Sequence, residues 1–227
     1  MFESEVIMFK TETHLHTAEV SRCGKLHAYE MIRAYKEAGY STVFVSDHFQ
    51  ANTLDTLGDI PWEEKMAIFL SGYYYAKFEG DRIGVCVLPA AELCFAGDPN
   101  HYLLYGVTKA FLDENPELHT YGIERLYSLA KEKGLLVVQA HPHRDGVCYP
   151  RPDTVDGFEV YNSNPRHNDE SDRSFMICAA HGLLMIGGSD AHREEDIGGS
   201  GVLSKEKIES AEQFIRLVRE GKCEVIS

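Results

Sequence analysis

What most constrains this chain is where its histidines and acids fall. Short apolar runs alternate with amphipathic segments along the sequence, and the polar residues gather where the apolar runs stop. The run from Val6 to Thr13 reads as a strand and closes on His14-Leu15-His16. STVFVSDHF (41–49) closes on Asp47-His48, and the run from Arg82 to Leu93 carries Glu92 near its end. LLVVQAHPH (135–143) ends in His141 and His143, GFEVYN (157–162) in Asn162, and LLMIGGSDAH (183–192) in Asp190 and His192. HYLLYGV (101–107) alone opens on its histidine, His101, so this strand is expected to run antiparallel or to enter from a loop. Residues 27–39, 61–80, 120–134, 171–182 and 210–221 have the apolar spacing of helices, and Gly39 and Gly134 close two of them. Residues 50–60 read as a loop, and KCEVIS (222–227) as a last strand. Strands separated by helices of this length imply βα units in a mainly parallel sheet, and one unbroken alternation points to an α/β barrel. In such a barrel the C-terminal strand ends share one face, where active sites form.

Side chains two apart on a strand point the same way, so His14 and His16 project side by side. Buried imidazoles and carboxylates are unfavourable unless paired or bound to metal, and so many strand ends carrying them imply a metal site. The donors are nitrogen and oxygen, which suits Zn, Mn or Fe. They exceed what one ion takes, so two to three divalent ions are expected, some bridged by a carboxylate. Such clusters lower the pKa of a bound water to give a hydroxide and clamp both oxygens of an in-line displacement at phosphorus, although two-metal sites also hydrolyse amides. Arginines favour phosphate through paired hydrogen bonds. Arg144 and Arg151 follow the His141 run, Arg166 follows Tyr161, and Arg193 follows His192, which tilts the reading to a phosphorylated substrate.

Composition narrows the partners. The net charge of −14 argues against a nucleic-acid backbone as main partner, less strongly where a site concentrates cations. Six cysteines, Cys23, Cys86, Cys94, Cys148, Cys178 and Cys223, are scattered without a C-x-x-C pair. They are expected to be reduced thiols of a cytoplasmic protein, with no organised thiolate among the ligands. The acidic start MFESEVIMFK lacks the long apolar core of a leader, and no apolar run is long enough to cross a membrane. One domain spanning 1–227 is the simplest organisation, and nothing in the sequence fixes an oligomeric state.

HLH, SDH, Glu92, AHPHR and GSDAH, in this order, resemble the PHP (polymerase and histidinol phosphatase) family, from Thr11 to about Gly201. The resemblance implies a distorted (β/α)7 TIM-like barrel with a trinuclear metal centre at the C-terminal ends of the strands. It implies that His14, His16, Glu92 and Asp190 hold one ion, that Glu92 bridges to a second with His101 and His141, and that His48 and His192 hold a third. Asp47, beside His48, joins the catalytic set as the group that orients it. The third ion's further ligand falls in AEVSRCGKLHAY, where the family usually carries Asp or His. Aligning on Gly24 puts Cys23 there, Glu19 offers a hard oxygen and is favoured, and His27 is the other alternative. His192 or His143 is expected to protonate the leaving oxygen. The implied activity is hydrolysis of a small phosphomonoester of histidinol-phosphate, nucleotide or sugar-phosphate type. A nuclease or phosphodiesterase is the alternative within enzymes, and a non-catalytic metal-binding module the alternative outside them.

Overall fold

A computed structural model describes residues 7–227, so Val6, where the first strand was expected to start, lies outside the described residues. The chain begins β1 (Phe9–Glu12), α1 (Ala28–Glu37), β2 (Tyr40–Val45), β3 (His48–Phe49), α2 (Ala51–Leu54), α3 (Trp62–Phe69), α4 (Ser71–Ile83) and β4 (Cys86–Cys94). It continues β5 (His101–Tyr105), α5 (Lys109–Glu114), α6 (Ile123–Lys133), β6 (Leu136–Ala140), β7 (Gly157–Asn162) and α7 (Ser171–His181). It ends β8 (Leu184–Gly188), β9 (Gly201–Ser204), α8 (Ala211–Arg219) and β10 (Glu224–Ile226).

These strands make one sheet in the order β10-β9-β1-β2-β4-β5-β6-β7-β8, with β3 beside β4. Its ends meet. β8 lies against β9 and β10. Just past β1 and β8 the chain bridges in parallel at Leu15 and Ala191, where the His16 N–H donates to the Ala191 carbonyl at 2.9 Å. The result is a mixed α/β, nearly closed barrel of the distorted TIM-like kind. β1, β2 and β4 are mutually parallel, as are β6, β7 and β8, while β5 runs antiparallel to both its neighbours. That reversal brings the first residue of β5, His101, opposite Cys94 and Ala140, the last residues of β4 and β6.

The local signals explain most boundaries. α1 opens on a capping box between His27 and Glu30, and α6 closes on Gly134 in the left-handed conformation. The 61–80 segment is two helices rather than one, separated at Leu70, and the 50–60 loop contains α2. The run from Arg82 is still helical, and β4 begins only at Cys86, after Gly84 caps α4. α5 and β9 are too short to show in a periodicity argument.

Within the barrel the residues separate by polarity along the strands. Leu88, Ala90, Leu103, Tyr105, Leu136 and Val138 form an apolar layer, on which α8 lays Phe214, Ile215, Leu217 and Val218. The Phe214 ring centroid lies 4.7 Å from that of Phe44 and 4.9 Å from that of Tyr105. Ser210 caps α8 by accepting from the Gln213 N–H. Along β4 and β5 the same alternation then carries Glu92 and His101 to the far end, so the apolar layer is the floor of a polar chamber.

Candidate metal centre

Glu92, on the last turn of the pleat in β4, is the hub of that chamber. It is fully buried. Its Oε1 lies 2.9 Å from His101 Nδ1, 3.2 Å from His141 Nε2 and 3.4 Å from His14 Nε2. Its Oε2 lies 2.6 Å from His48 Nδ1 and 3.5 Å from His16 Nε2. Asp190 Oδ1 stands 3.1 Å from His16 Nε2, 3.4 Å from His14 Nε2 and 3.6 Å from His192 Nδ1. The structure therefore brings His14, His16, His48, Glu92, His101, His141, Asp190 and His192 together from six parts of the chain. His141 and Asp190 take positive φ of 30° and 49° without being glycine. Such backbone costs about 1–3 kcal/mol and persists where surrounding contacts impose it.

The donor set fits cations. His14 Nδ1 is hydrogen-bonded to Glu159 at 2.9 Å and His16 Nδ1 to Ser21 at 3.3 Å, so each ring presents Nε2 inward. Those two Nε2 atoms lie 3.1 Å apart, close enough to share a proton or a cation. His48 Nδ1 and Glu92 Oε2 are close, yet among the described residues neither has a hydrogen-bond partner. Three overlapping groups have their donor atoms within 4.8 Å of one another: His14, His16 and Glu92; His16, His48 and His192; and His48, Glu92, Cys94 and His101. Electrostatics point the same way. Burial disfavours a charged His14, but Glu159, Asp190 and Glu92 raise its pKa well above the ordinary value. His101 likewise, against burial, is raised to about 9, chiefly by Glu92. Burial works to protonate Glu92, and His101, His48 and His14 outweigh it and hold the pKa well below the carboxylate range. Carboxylates this deep attract positive charge, as proton or as metal ion.

Other expected residues fall elsewhere. Glu19 accepts from the Ala28 N–H at 3.0 Å and meets the His27 ring at 3.1 Å, so it serves the N-terminus of α1 and stands apart from the three donor groups. Asp47 accepts from Thr17 N, Thr17 Oγ1 and Ser21 Oγ, each at 2.7 Å, and anchors the loop after His16. Burial, partly offset by those bonds, pushes its pKa up to about 6. His143 turns to Ser174 of α7 at 3.0 Å. Arg151 pairs with Glu124 of α6. By contrast Arg144, Arg166 and Arg193 line a cleft of about 240 Å³ with His48, His101, Asp190 and His192. Arg144 Nη1 lies 3.4 Å from Asp190 Oδ2, and Arg166 holds Asp196 with both of its terminal nitrogens.

Sequence reasoning passed over several residues here. Glu159 fixes His14 and also accepts from the His141 N–H at 2.9 Å. Glu12 Oε1 accepts from the N–H groups of Thr13, His14 and Ser189, and burial lifts its pKa to about 7. A carboxylate within the apolar run GFEVYN was the available signal for Glu159, whereas Glu12, between two threonines at the end of β1, gave none. His167, 2.7 Å from Asp145 Oδ2, and Asn164 line the same cleft. Two thiols stand near the cluster as well. Register pairs Cys94 with His101, and Cys23 lies on the cleft wall. Burial opposes ionisation of the Cys23 thiol, but hydrogen bonds to His192 and His48 bring its pKa down to about 6.

Residues 165–223 match a family described as PHP-associated (PHP_C). No curated protein matches the chain. Among solved structures, PsfC from Pseudomonas syringae PB-5123 is 19% identical with a TM-score of 0.67, over 92% of this chain and 88% of that one. A two-domain protein containing a predicted PHP-like metal-dependent phosphoesterase, from Bacteroides vulgatus ATCC 8482, is 16% identical with a TM-score of 0.64. That match covers 96% of this chain and 64% of the larger protein. An amidohydrolase from Chromobacterium violaceum is 14% identical with a TM-score of 0.57, over 96% and 98% of the two chains. Identities this low speak for a shared fold. No helix among the described residues is long and apolar enough to cross a membrane.

Proposed function

On the premise that this fold and the PHP-associated C-terminal segment place the chain in the PHP domain family, we propose that it is a metal-dependent phosphoesterase acting on a small phosphomonoester. The observation that favours phosphate over an amide is the cleft where Arg144, Arg166 and Arg193 face the histidine–carboxylate cluster. Guanidinium groups match the geometry of phosphoryl oxygens and complement charge that grows on them in the transition state.

His14, His16, His48, Glu92, His101, His141, Asp190 and His192 are the residues to hold two or three divalent ions. Zn, Mn or Fe bound there would supply a water of lowered pKa and a Lewis-acid clamp on the phosphoryl oxygens. Arg144, tethered only at 3.4 Å to Asp190, is free to swing onto the phosphoryl group, and Arg166, fixed on Asp196, offers a preset donor. His167, held by Asp145 and separate from the expected ligands, is the group to protonate the leaving oxygen. It takes the part that the sequence alone gave to His192 or His143.

Beside this cleft, and sharing His101 with it, lies a cavity of about 790 Å³ lined by Gln50, Asn52, Asp55, Asp98, Glu117 and His119 among others. It has room for the leaving group. Its carboxylates repel a second phosphate, which counts against a polynucleotide and against the nuclease reading. The test is phosphate release from a panel of phosphomonoesters, phosphodiesters and N-acyl amides, with metal added or chelated. Metal-dependent release from monoesters alone is expected. Amide hydrolysis without phosphate release would move the chain to the amidohydrolases.

A further inference from the structure

We propose that Cys23 supplies a thiolate ligand to the metal centre at the corner formed by His48 and His192, so that one ion is held through sulfur as well as nitrogen. This rests on the metal-centre reading above. The sequence offers three donors for that corner, and the geometry separates them. Glu19 turns both carboxylate oxygens to the Ala28 N–H, at 3.0 and 3.2 Å, and meets the His27 ring. His27 is engaged by Glu19 at 3.1 Å. Neither lines the cleft, whereas Cys23 lines it beside His48 and His192.

The backbone explains this placement. The Ser21 N–H donates to the Thr17 carbonyl at 3.0 Å, the Gly24 N–H to the Ser21 carbonyl at 2.8 Å, and the Lys25 N–H to the His192 carbonyl at 2.8 Å. Asp47 anchors Thr17 and Ser21 through its three hydrogen bonds. A methyl group on Gly24 would lie 2.7 Å from the Thr17 carbonyl and 2.9 Å from Ala18 N, so the turn has no slack at that point. Cys23 sits between two anchored residues and is delivered to the imidazoles.

A second observation points to a cation there. The His16, His48 and His192 nitrogens lie within 4.8 Å of one another. The buried Glu92 Oε2, without a hydrogen-bond partner among the described residues, faces His48 at 2.6 Å. A thiolate with imidazoles is a donor set for zinc, and the soft sulfur disfavours manganese and magnesium. Cys94 approaches His48 together with Glu92 and His101 and provides the internal control.

Cobalt titration of metal-free protein, followed by absorption and elemental analysis, tests the assignment on the wild type and on Cys23→Ser, Cys94→Ser and Cys23→Asp. Cobalt bound through sulfur gives an intense charge-transfer band in the near ultraviolet, which nitrogen and oxygen ligands do not. The band is expected in the wild type and in Cys94→Ser. In Cys23→Ser the band should vanish along with an equivalent of metal. Cys23→Asp should regain the equivalent without the band and bind manganese better relative to zinc. A band that survives in Cys23→Ser, or cobalt uptake by the wild type with no band, overturns the proposal and leaves the metal centre standing. A wild type that takes up no cobalt overturns the metal-centre reading itself.

Discussion

Glu159 touches the proposed ligands only from behind, yet it fixes two of them: the His14 ring through Nδ1 and the His141 backbone through its N–H. Groups of this kind change metal affinity by about 10–100-fold when removed. Glu159→Gln should therefore weaken zinc binding by about that factor, measured by competition with a chromophoric chelator, while the far-ultraviolet circular dichroism stays as in the wild type. Unchanged affinity would mean that the orientation of His14 does not matter to binding. His167 carries a different expectation. A general acid contributes about 10²–10⁴-fold, and only where the leaving oxygen needs a proton. His167→Asn should thus depress kcat for alkyl phosphates far more than for p-nitrophenyl phosphate, with KM little changed. Equal losses on both substrates would remove His167 from that role. The ligand candidates were legible because they sit at strand ends, at i and i+2. Their holders were less so: Glu159 shows only as a charge inside an apolar run, and its partners His14 and His141 lie across the barrel. Glu19 is engaged elsewhere for a physical reason: a hard oxygen suits a metal, but it suits the N–H groups opening α1 as well.

Helix α4 shows what a periodicity reading captures and what it does not. Residues 61–80 have helical spacing, but the break at Leu70 arises from tertiary placement: α4 must pack against α1 and also approach the Asp47–Thr17 contact. Gly72 is the point of approach. Alanine there gains about 1 kcal/mol of helix propensity. Its methyl would lie 2.2 Å from Thr17 Oγ1 and 2.7 Å from Asp47 Oδ2, and overpacking of that kind costs about 1–3 kcal/mol. Gly72→Ala should therefore lower the melting temperature, a sign opposite to the one propensity alone gives. The same helix joins α1 through Glu79, whose covered carboxylate meets Arg33 Nε at 2.6 Å and Arg82 Nη2 at 2.7 Å. Hydrogen bonds from Arg82 and then Arg33 lower its pKa from 4.5 to about 2. A carboxylate lowered in the folded state contributes stability above its unfolded pKa, and that contribution disappears as pH falls through the folded value. The melting-temperature gap between wild type and Glu79→Gln should be full above pH 4.5 and close towards pH 2. High salt should narrow it, because both arginines are half exposed. A gap that widens on acidification would contradict the pairing.

The whole barrel closes where the ions are expected. β1 and β8 are far apart in sequence, and above the apolar floor the seam is joined by the short bridge at Leu15 and Ala191. His14 and His16 stand on one side of that bridge, Asp190 and His192 on the other, and Glu92 and His101 reach across from β4 and β5. The alternation of strands and helices made the barrel legible from the sequence. The seam was not, because β9 and β10, which complete the sheet beside β1, are too short to announce their pairing. Ions bound at this place tie the two sides together, so they act on global stability as well as on chemistry. A ligand that binds only the folded state, at 100 times its dissociation constant, adds about 2.7 kcal/mol. In a chain of 227 residues each kcal/mol moves the melting temperature by about 2–4 °C. Chelation should then lower the melting temperature by about 5–11 °C, and added zinc should restore it. Asp190→Asn, which removes a carboxylate from the seam, should shrink that metal-dependent shift, read by differential scanning calorimetry with and without chelator. If elemental analysis shows the metal gone while the melting temperature stays put, the ions are not coupled to closure of the barrel.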